Sequence, residues 1–271
     1  MKPVRKPAVA GAFYPAEPAA LLREIRTYTA PEATASACLA CVVPHAGYMY
    51  SGHVAGAVYS RMQLPKRLVL LGPNHTGAGQ PLAIMSTGVW LTPLGEAQID
   101  EPLAQELIAL FPFLQEDSEA HRKEHCLEVQ LPFLQALLSD FSFVPVVVGT
   151  GRLDVLLQLG EALSELVQSH GADVLILCSS DMNHYEPDDI TRAKDAYAIE
   201  KILALDASGL HDVVAREHIT MCGVAPTVAM VAAARKLGAQ RAELVKYATS
   251  AEVSGDRDYC VGYAGVVVTR Q

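Results

Sequence analysis

A single α/β domain with a mainly parallel central sheet flanked by helices is the fold class this 271-residue sequence predicts. Three observations predict it. Short apolar, β-rich runs recur along the chain, helical patterns separate them, and no fixed-period repeat, low-complexity tract or charge block divides the whole. With 51% hydrophobic residues the chain can bury a large core. α/β chains of this length commonly form one unit, so residues 1–271 are read as one domain.

Strands are predicted over residues 39–43, 67–71, 143–148, 174–178 and 261–268, each β-rich and bounded by Gly, Pro, Ser or Asp. Helical patterns cover 53–62, 101–110, 124–138, 154–168, 188–205 and 224–237. Strands that alternate with helices need crossover connections, which makes their sheet mainly parallel with helices on both faces. Residues 82–98, with Gly88, Trp90 and Pro93, break this alternation and predict an antiparallel insertion. The Pro/Ala/Thr stretch at 29–36 is expected to join an N-terminal helix to the sheet.

The formal net charge of −9 repels polyanions and provides no footprint for nucleic acid or an anionic membrane surface. No segment is an apolar run long enough to span a bilayer, and Pro and Gly interrupt the first residues before a signal-peptide core could form. Six cysteines scattered through the chain, several inside apolar strands, read as reduced thiols and not as a disulfide framework. The expected compartment is the cytoplasm and the expected ligand a small molecule or peptide.

Chemistry collects where strands end. In Val42-Val43-Pro44-His45-Ala46-Gly47-Tyr48, Pro44 stops the strand and His45 leaves its carboxyl end. Leu70-Leu71-Gly72-Pro73-Asn74-His75 repeats the design, and Leu177-Cys178-Ser179-Ser180-Asp181-Met182-Asn183-His184 runs a strand out into an Asp and a His. Ligands of open parallel sheets bind outside the carboxyl ends of the strands, so these three words can line one crevice. One histidine after a strand is most often a satisfied loop residue; three in the same topological place point to a shared site. Imidazole suits zinc, iron, copper and nickel, and Asp or Cys can complete such a set.

Cys222 precedes the helix predicted from 224, a position that suits a metal ligand or a nucleophile, with a buried inert thiol as the plain alternative. Glu124 and Glu128 would sit one turn apart on one helix face, with Glu124 and His125 as outer supports of a metal ligand or as acid/base groups; a solvated helix start is the alternative. The missing second histidine removes the zincin motif. Cys38-Leu39-Ala40-Cys41 enters an apolar strand without a partner pair, and no dinucleotide, phosphate-loop or nucleophile-elbow signature occurs.

Residues 7–15 (PAVAGAFYP), 42–48 (VVPHAGY), 70–75 (LLGPNH), 124–133 (EHCLEVQLPF), 179–184 (SSDMNH) and 221–226 (MCGVAP) together resemble the Memo family, in order and over essentially the whole chain. The resemblance implies a fold similar to class III extradiol dioxygenases, which use non-haem Fe(II), and prokaryotic association with a radical-SAM enzyme and an AMMECR-type protein. Carried over by position, it implies His45, His75 and Cys222 as metal ligands, with Asp181 and His184 in the same cleft. The dioxygenases use two histidines and a carboxylate. A thiolate in the third position would move the metal preference from Fe(II) toward Cu, Zn or a redox-active iron.

The leading expectation is therefore a metal-dependent, dioxygenase-like oxidase in which His184 or His125 moves protons and Asp181 orients a histidine or acts as base. A non-catalytic metal- or peptide-binding partner of a radical-SAM system is the alternative. A Cys222 nucleophile served by His184 and Asp181 ranks third.

Overall fold

Four parallel strands, in the spatial order Ser142–Val148, Arg67–Pro73, Val174–Ser179 and Ala40–Val43, form the centre of the sheet in the computed structural model, which describes residues 2–30 and 35–270. Of the joining stretch predicted at 29–36, residues 31–34 lie outside the described residues. Arg67 pairs with Ser142 on one side and Val174 on the other, and Val43 pairs with Ser179. In this register the carboxyl ends emerge together on one edge.

Apolar residues on both faces of these strands explain the two layers. Val69, Leu71, Val144, Val146 and Ile176 pack with the helices Glu101–Leu110, Leu153–His170 and Val224–Lys236. Leu68, Leu70, Leu175 and Leu177 face the other way, toward Pro18–Tyr28 and Tyr48–Arg61. All nine of these strand side chains are buried, each contributing about 1.5–3 kcal/mol relative to an exposed position. Caps set the helix starts where the sequence provides them. Asp100 accepts from the Leu103 N–H at 3.1 Å, and Asp206 accepts from the Gly209 N–H at 2.9 Å to open Ala207–Arg216, a helix the periodicity did not predict.

The insertion is antiparallel as expected. Val89–Thr92 and Gly95–Ile99 form a hairpin closed at Thr92 and Gly95, and Leu82–Ile84 runs antiparallel to Ser142–Val148. Gly95, at φ +116°, takes a conformation closed to other residues.

Three of the predicted elements differ in extent or direction from the sequence expectation. The helix predicted from 53 begins at Tyr48, because the Tyr48 N–H bonds to the Phe13 carbonyl at 2.7 Å and its buried hydroxyl donates to Val129 O, anchors that no local cap announces. No continuous helix covers 124–138: a short turn at Glu119–Arg122 stops, Glu128–Gln130 is 3-10, and the α-helix is Leu131–Leu137. The Glu124 carboxylate takes the His125 and Cys126 N–H groups at 2.9 and 3.0 Å, which diverts the backbone from a helical ladder. Glu124 and Glu128 consequently share no helix face. Finally, Cys260–Thr269 is antiparallel to Ala40–Val43, because it returns through a hairpin from Arg241–Thr249, a strand whose mixed polar and apolar residues hid it.

Candidate metal centre

Three neighbouring strands of the central sheet deliver the three words. His45 follows Ala40–Val43, His75 follows Arg67–Pro73, and Asp181 follows Val174–Ser179, which lies between the other two. The His45 and Ala46 N–H groups both donate to Asp181 Oδ1, at 2.8 and 3.3 Å, which ties two of the strand ends together. The His45 and His75 rings meet edge to face with centroids 5.1 Å apart.

His125 completes a cluster that the sequence did not define. Its ring stacks on His75 at 4.7 Å and meets His45 edge-on at 5.4 Å. His45, His75 and His125 each offer a ligand nitrogen, and these three atoms lie within 4.8 Å of one another. A second such group is His75, Glu124 and Cys126. Its carboxylate is already occupied: Glu124 accepts from the His75 N–H at 2.6 Å, from His75 Nδ1 at 2.8 Å, and from the His125 and Cys126 N–H groups. These bonds and the neighbouring imidazoles outweigh burial and lower the Glu124 pKa to about 2. As an ionised acceptor it fixes the His75 proton on Nδ1 and turns Nε2 outward.

Cys222 is in neither compact group. Its sulfur lies 3.2 Å from His45 Nε2 and accepts from the Asp181 N–H at 3.3 Å. Gly223 seats this turn: an added Cβ would stand 2.4 Å from Ser180 Cβ, so only glycine lets the chain pass. Burial, followed by the nearby Asp181 charge, pushes the Cys222 thiol well above its ordinary value. The helix that follows does not offset this, so the sulfur is a thiol and no ready nucleophile.

Asp181 is raised to about 7 by burial, against the lowering effect of the His45 and Ala46 N–H bonds, and its Oδ2 is 3.9 Å from His45 Nε2. Burial also lowers His45, His125 and His184, which keeps them neutral at pH 7. The His184 N–H donates to Thr220 Oγ1 at 2.7 Å, and its Nδ1 lies 2.9 Å from the Thr220 carbonyl; that acceptor keeps the proton on Nδ1 and leaves Nε2 bare. Glu128 faces away from the cluster. It accepts from Arg5, from the Ala8 and Val9 N–H groups at 2.8 and 3.0 Å, and from the Tyr14 hydroxyl at 2.6 Å, which clamps the N-terminal segment so that Phe13 packs on His125 at 4.8 Å.

The fold and site define an α/β protein with a histidine cluster, able to hold a metal ion, at the carboxyl edge of its parallel strands. The chain matches the model of the Memo-like protein family over residues 5–267, and it belongs to that family. It is 42% identical over 279 residues to a MEMO1 family protein of Pyrobaculum arsenaticum, covering 98% of this chain and 99% of the relative. A MEMO1 family protein of Methanopyrus kandleri is 41% identical over 280 residues, with 98% and 99% covered. Among solved structures, an uncharacterized protein of Escherichia coli K12 shares the fold, with a TM-score of 0.52, 14% identity and coverage of 82% of this chain and 98% of that one. Among the described residues, no helix is long and apolar enough to cross a membrane.

Proposed function

We propose that the cleft is the centre of a metal-dependent redox enzyme, with His45 and His75 as two fixed nitrogen donors and Cys222 as the third protein ligand. The observation that carries this is the convergence of one ring nitrogen each from His45, His75 and His125 within 4.8 Å, with Glu124 holding the His75 ring through Nδ1 at 2.8 Å. A bound Fe(II) ion would supply the redox chemistry; the sulfur donor also suits Cu or Zn. Cys222 Sγ, at 3.2 Å from His45 Nε2, is close enough to share an ion with it. His125 competes for the third position because its nitrogen falls within the compact group.

The protein's own groups would then handle protons and orientation. Asp181, with a pKa of about 7, can hold or release a proton at physiological pH and orients the His45 backbone. His184 presents a bare Nε2 as a second proton acceptor. Phe13 packs against the His125 ring at one side of the cluster. The six cysteines are all free thiols, which supports a reducing, cytoplasmic setting.

A second reading, a metal- or peptide-binding partner of radical-SAM and AMMECR-type proteins, is favoured by the rim. Tyr185 and Tyr259 are 62% and 65% exposed and stack at 5.7 Å beside His184. Tyr185 holds φ at +62°, a strained conformation for a bulky residue. Metal analysis of anaerobically purified protein tests the centre: near-stoichiometric Fe, Cu or Zn is expected in the wild type and loss of it in His45→Ala and His75→Ala. Absence of metal from wild type under all loading conditions overturns the proposal. With metal-replete protein, oxygen uptake with a catechol or another reducing substrate supports the enzyme, whereas no turnover combined with binding to a radical-SAM partner supports the second reading.

A further inference from the structure

Behind His45 lies a buried polar chain to which neither the metal reading nor the sequence analysis gives a role. Tyr59 Oη is 2.8 Å from Gln130 Oε1; Gln130 Nε2 is 3.0 Å from Pro44 O and 2.9 Å from Ser179 Oγ. Ser179 Oγ is 2.7 Å from Cys126 O and 2.9 Å from His45 Nδ1. All four side chains are 2% exposed or less, so solvent does not complete their hydrogen bonds.

Proton directions in this chain are forced one after another. Pro44 O and Cys126 O can only accept. The Gln130 amide must therefore point its NH2 at Pro44 O, which leaves its oxygen to accept from the Tyr59 hydroxyl. The same NH2 donates its second hydrogen to Ser179 Oγ. Ser179 has one proton, and Cys126 O at 2.7 Å requires it. If Ser179 turned that proton toward His45, two lone pairs would face each other across 2.7 Å at a buried position. The hydroxyl oxygen is thus left as an acceptor for His45.

We propose that Ser179, oriented by Gln130 and Tyr59, is a positioning residue that fixes the His45 proton on Nδ1 and turns the Nε2 lone pair into the cleft. Glu124 performs the same service for His75 with a charged acceptor, while His45 receives it from a neutral relay. The consequence for metal affinity rests on the metal reading above; the proton assignment does not.

The test separates the two. In metal-free wild type, two-dimensional 15N–1H correlation of the histidine rings, with His45 assigned by its loss in His45→Gln, should show His45 protonated on Nδ1 alone. His45 protonated on Nε2, or exchanging between both nitrogens, overturns the proposal without any variant. Ser179→Ala should give a mixed His45 tautomer, and Ser179→Thr, which retains the hydroxyl, should restore the wild-type pattern. In Zn2+ titrations Ser179→Ala should bind about 10–100-fold more weakly, the usual effect of losing a group that orients a ligand histidine, with Ser179→Thr near wild type. An unchanged tautomer in a folded Ser179→Ala protein refutes the relay. Wild type that binds no Zn2+ refutes the metal reading and leaves the tautomer result standing.

Discussion

Proton release on metal binding distinguishes Cys222 from His125 as the third ligand. Burial and the Asp181 charge raise the Cys222 thiol well above its ordinary value, so at pH 8 the sulfur carries a proton that it must lose to become a ligand. His45 and His125 are lowered by burial and by neighbouring imidazoles, and at that pH they have no proton to give up from the coordinating nitrogen. A centre built on His45, His75 and Cys222 therefore releases about one proton more per ion than one built on His45, His75 and His125. Calorimetric titration of metal-free protein with Zn2+ at pH 8, repeated in buffers of different ionisation enthalpy, reads the released protons as a slope. Subtracting the slope for Cys222→Ala removes protons contributed by metal-bound water. A difference near one is expected. A difference near zero with unchanged affinity refutes the thiolate assignment and places His125 in the third position.

Other perturbations follow from the same contacts. Glu124→Gln removes the charged acceptor of His75 and should weaken Zn2+ binding by about 10–100-fold, read by competition with a chromogenic chelator, while Gln at the exposed Glu165 position should change nothing. Glu128→Ala leaves the buried Arg5 guanidinium without its carboxylate and should lower stability by about 3–5 kcal/mol in urea unfolding. His121 is buried beside Arg5 with its pKa lowered to about 3. The unfolded chain binds this proton below about pH 6.5 and the folded chain does not, so stability falls with acid at up to about 1.4 kcal/mol per pH unit. Urea titrations between about pH 6.5 and 5 should show a shallower loss in His121→Leu than in wild type, and parallel curves would sink the assignment. Gly72→Ala would place a Cβ 2.4 Å from Cys126 Sγ and should cost about 1–3 kcal/mol through overpacking, measured as a lower midpoint of thermal unfolding.

Local signals in the sequence were sufficient for the alternation of buried strands and helices, and for the break at Pro44 that carries His45 off its strand end; Gly72 and Pro73, read as a break, are instead the last two residues of the strand that delivers His75. Such features are legible because periodicity, turn residues and ladder termination act over a few neighbouring residues. The run from Glu124 misled for a related reason: helical periodicity says nothing about a carboxylate that leaves the pattern to collect N–H groups from His75, 49 residues away. Spatial strand order was equally hidden, yet it sets Val174–Ser179 between the other two site strands and brings Asp181 against the His45 N–H across 136 residues of chain. Ser179 and Gln130 acquire their parts only from such contacts, and His125, read in the sequence as an acid/base group, joins the imidazole cluster through them. The sequence by itself determined the fold class and which strand ends carry imidazoles; tertiary packing alone decided which nitrogens face one another and which carry protons, because hydrogen-bond partners in a buried site are chosen by proximity in space and by the exclusion of water.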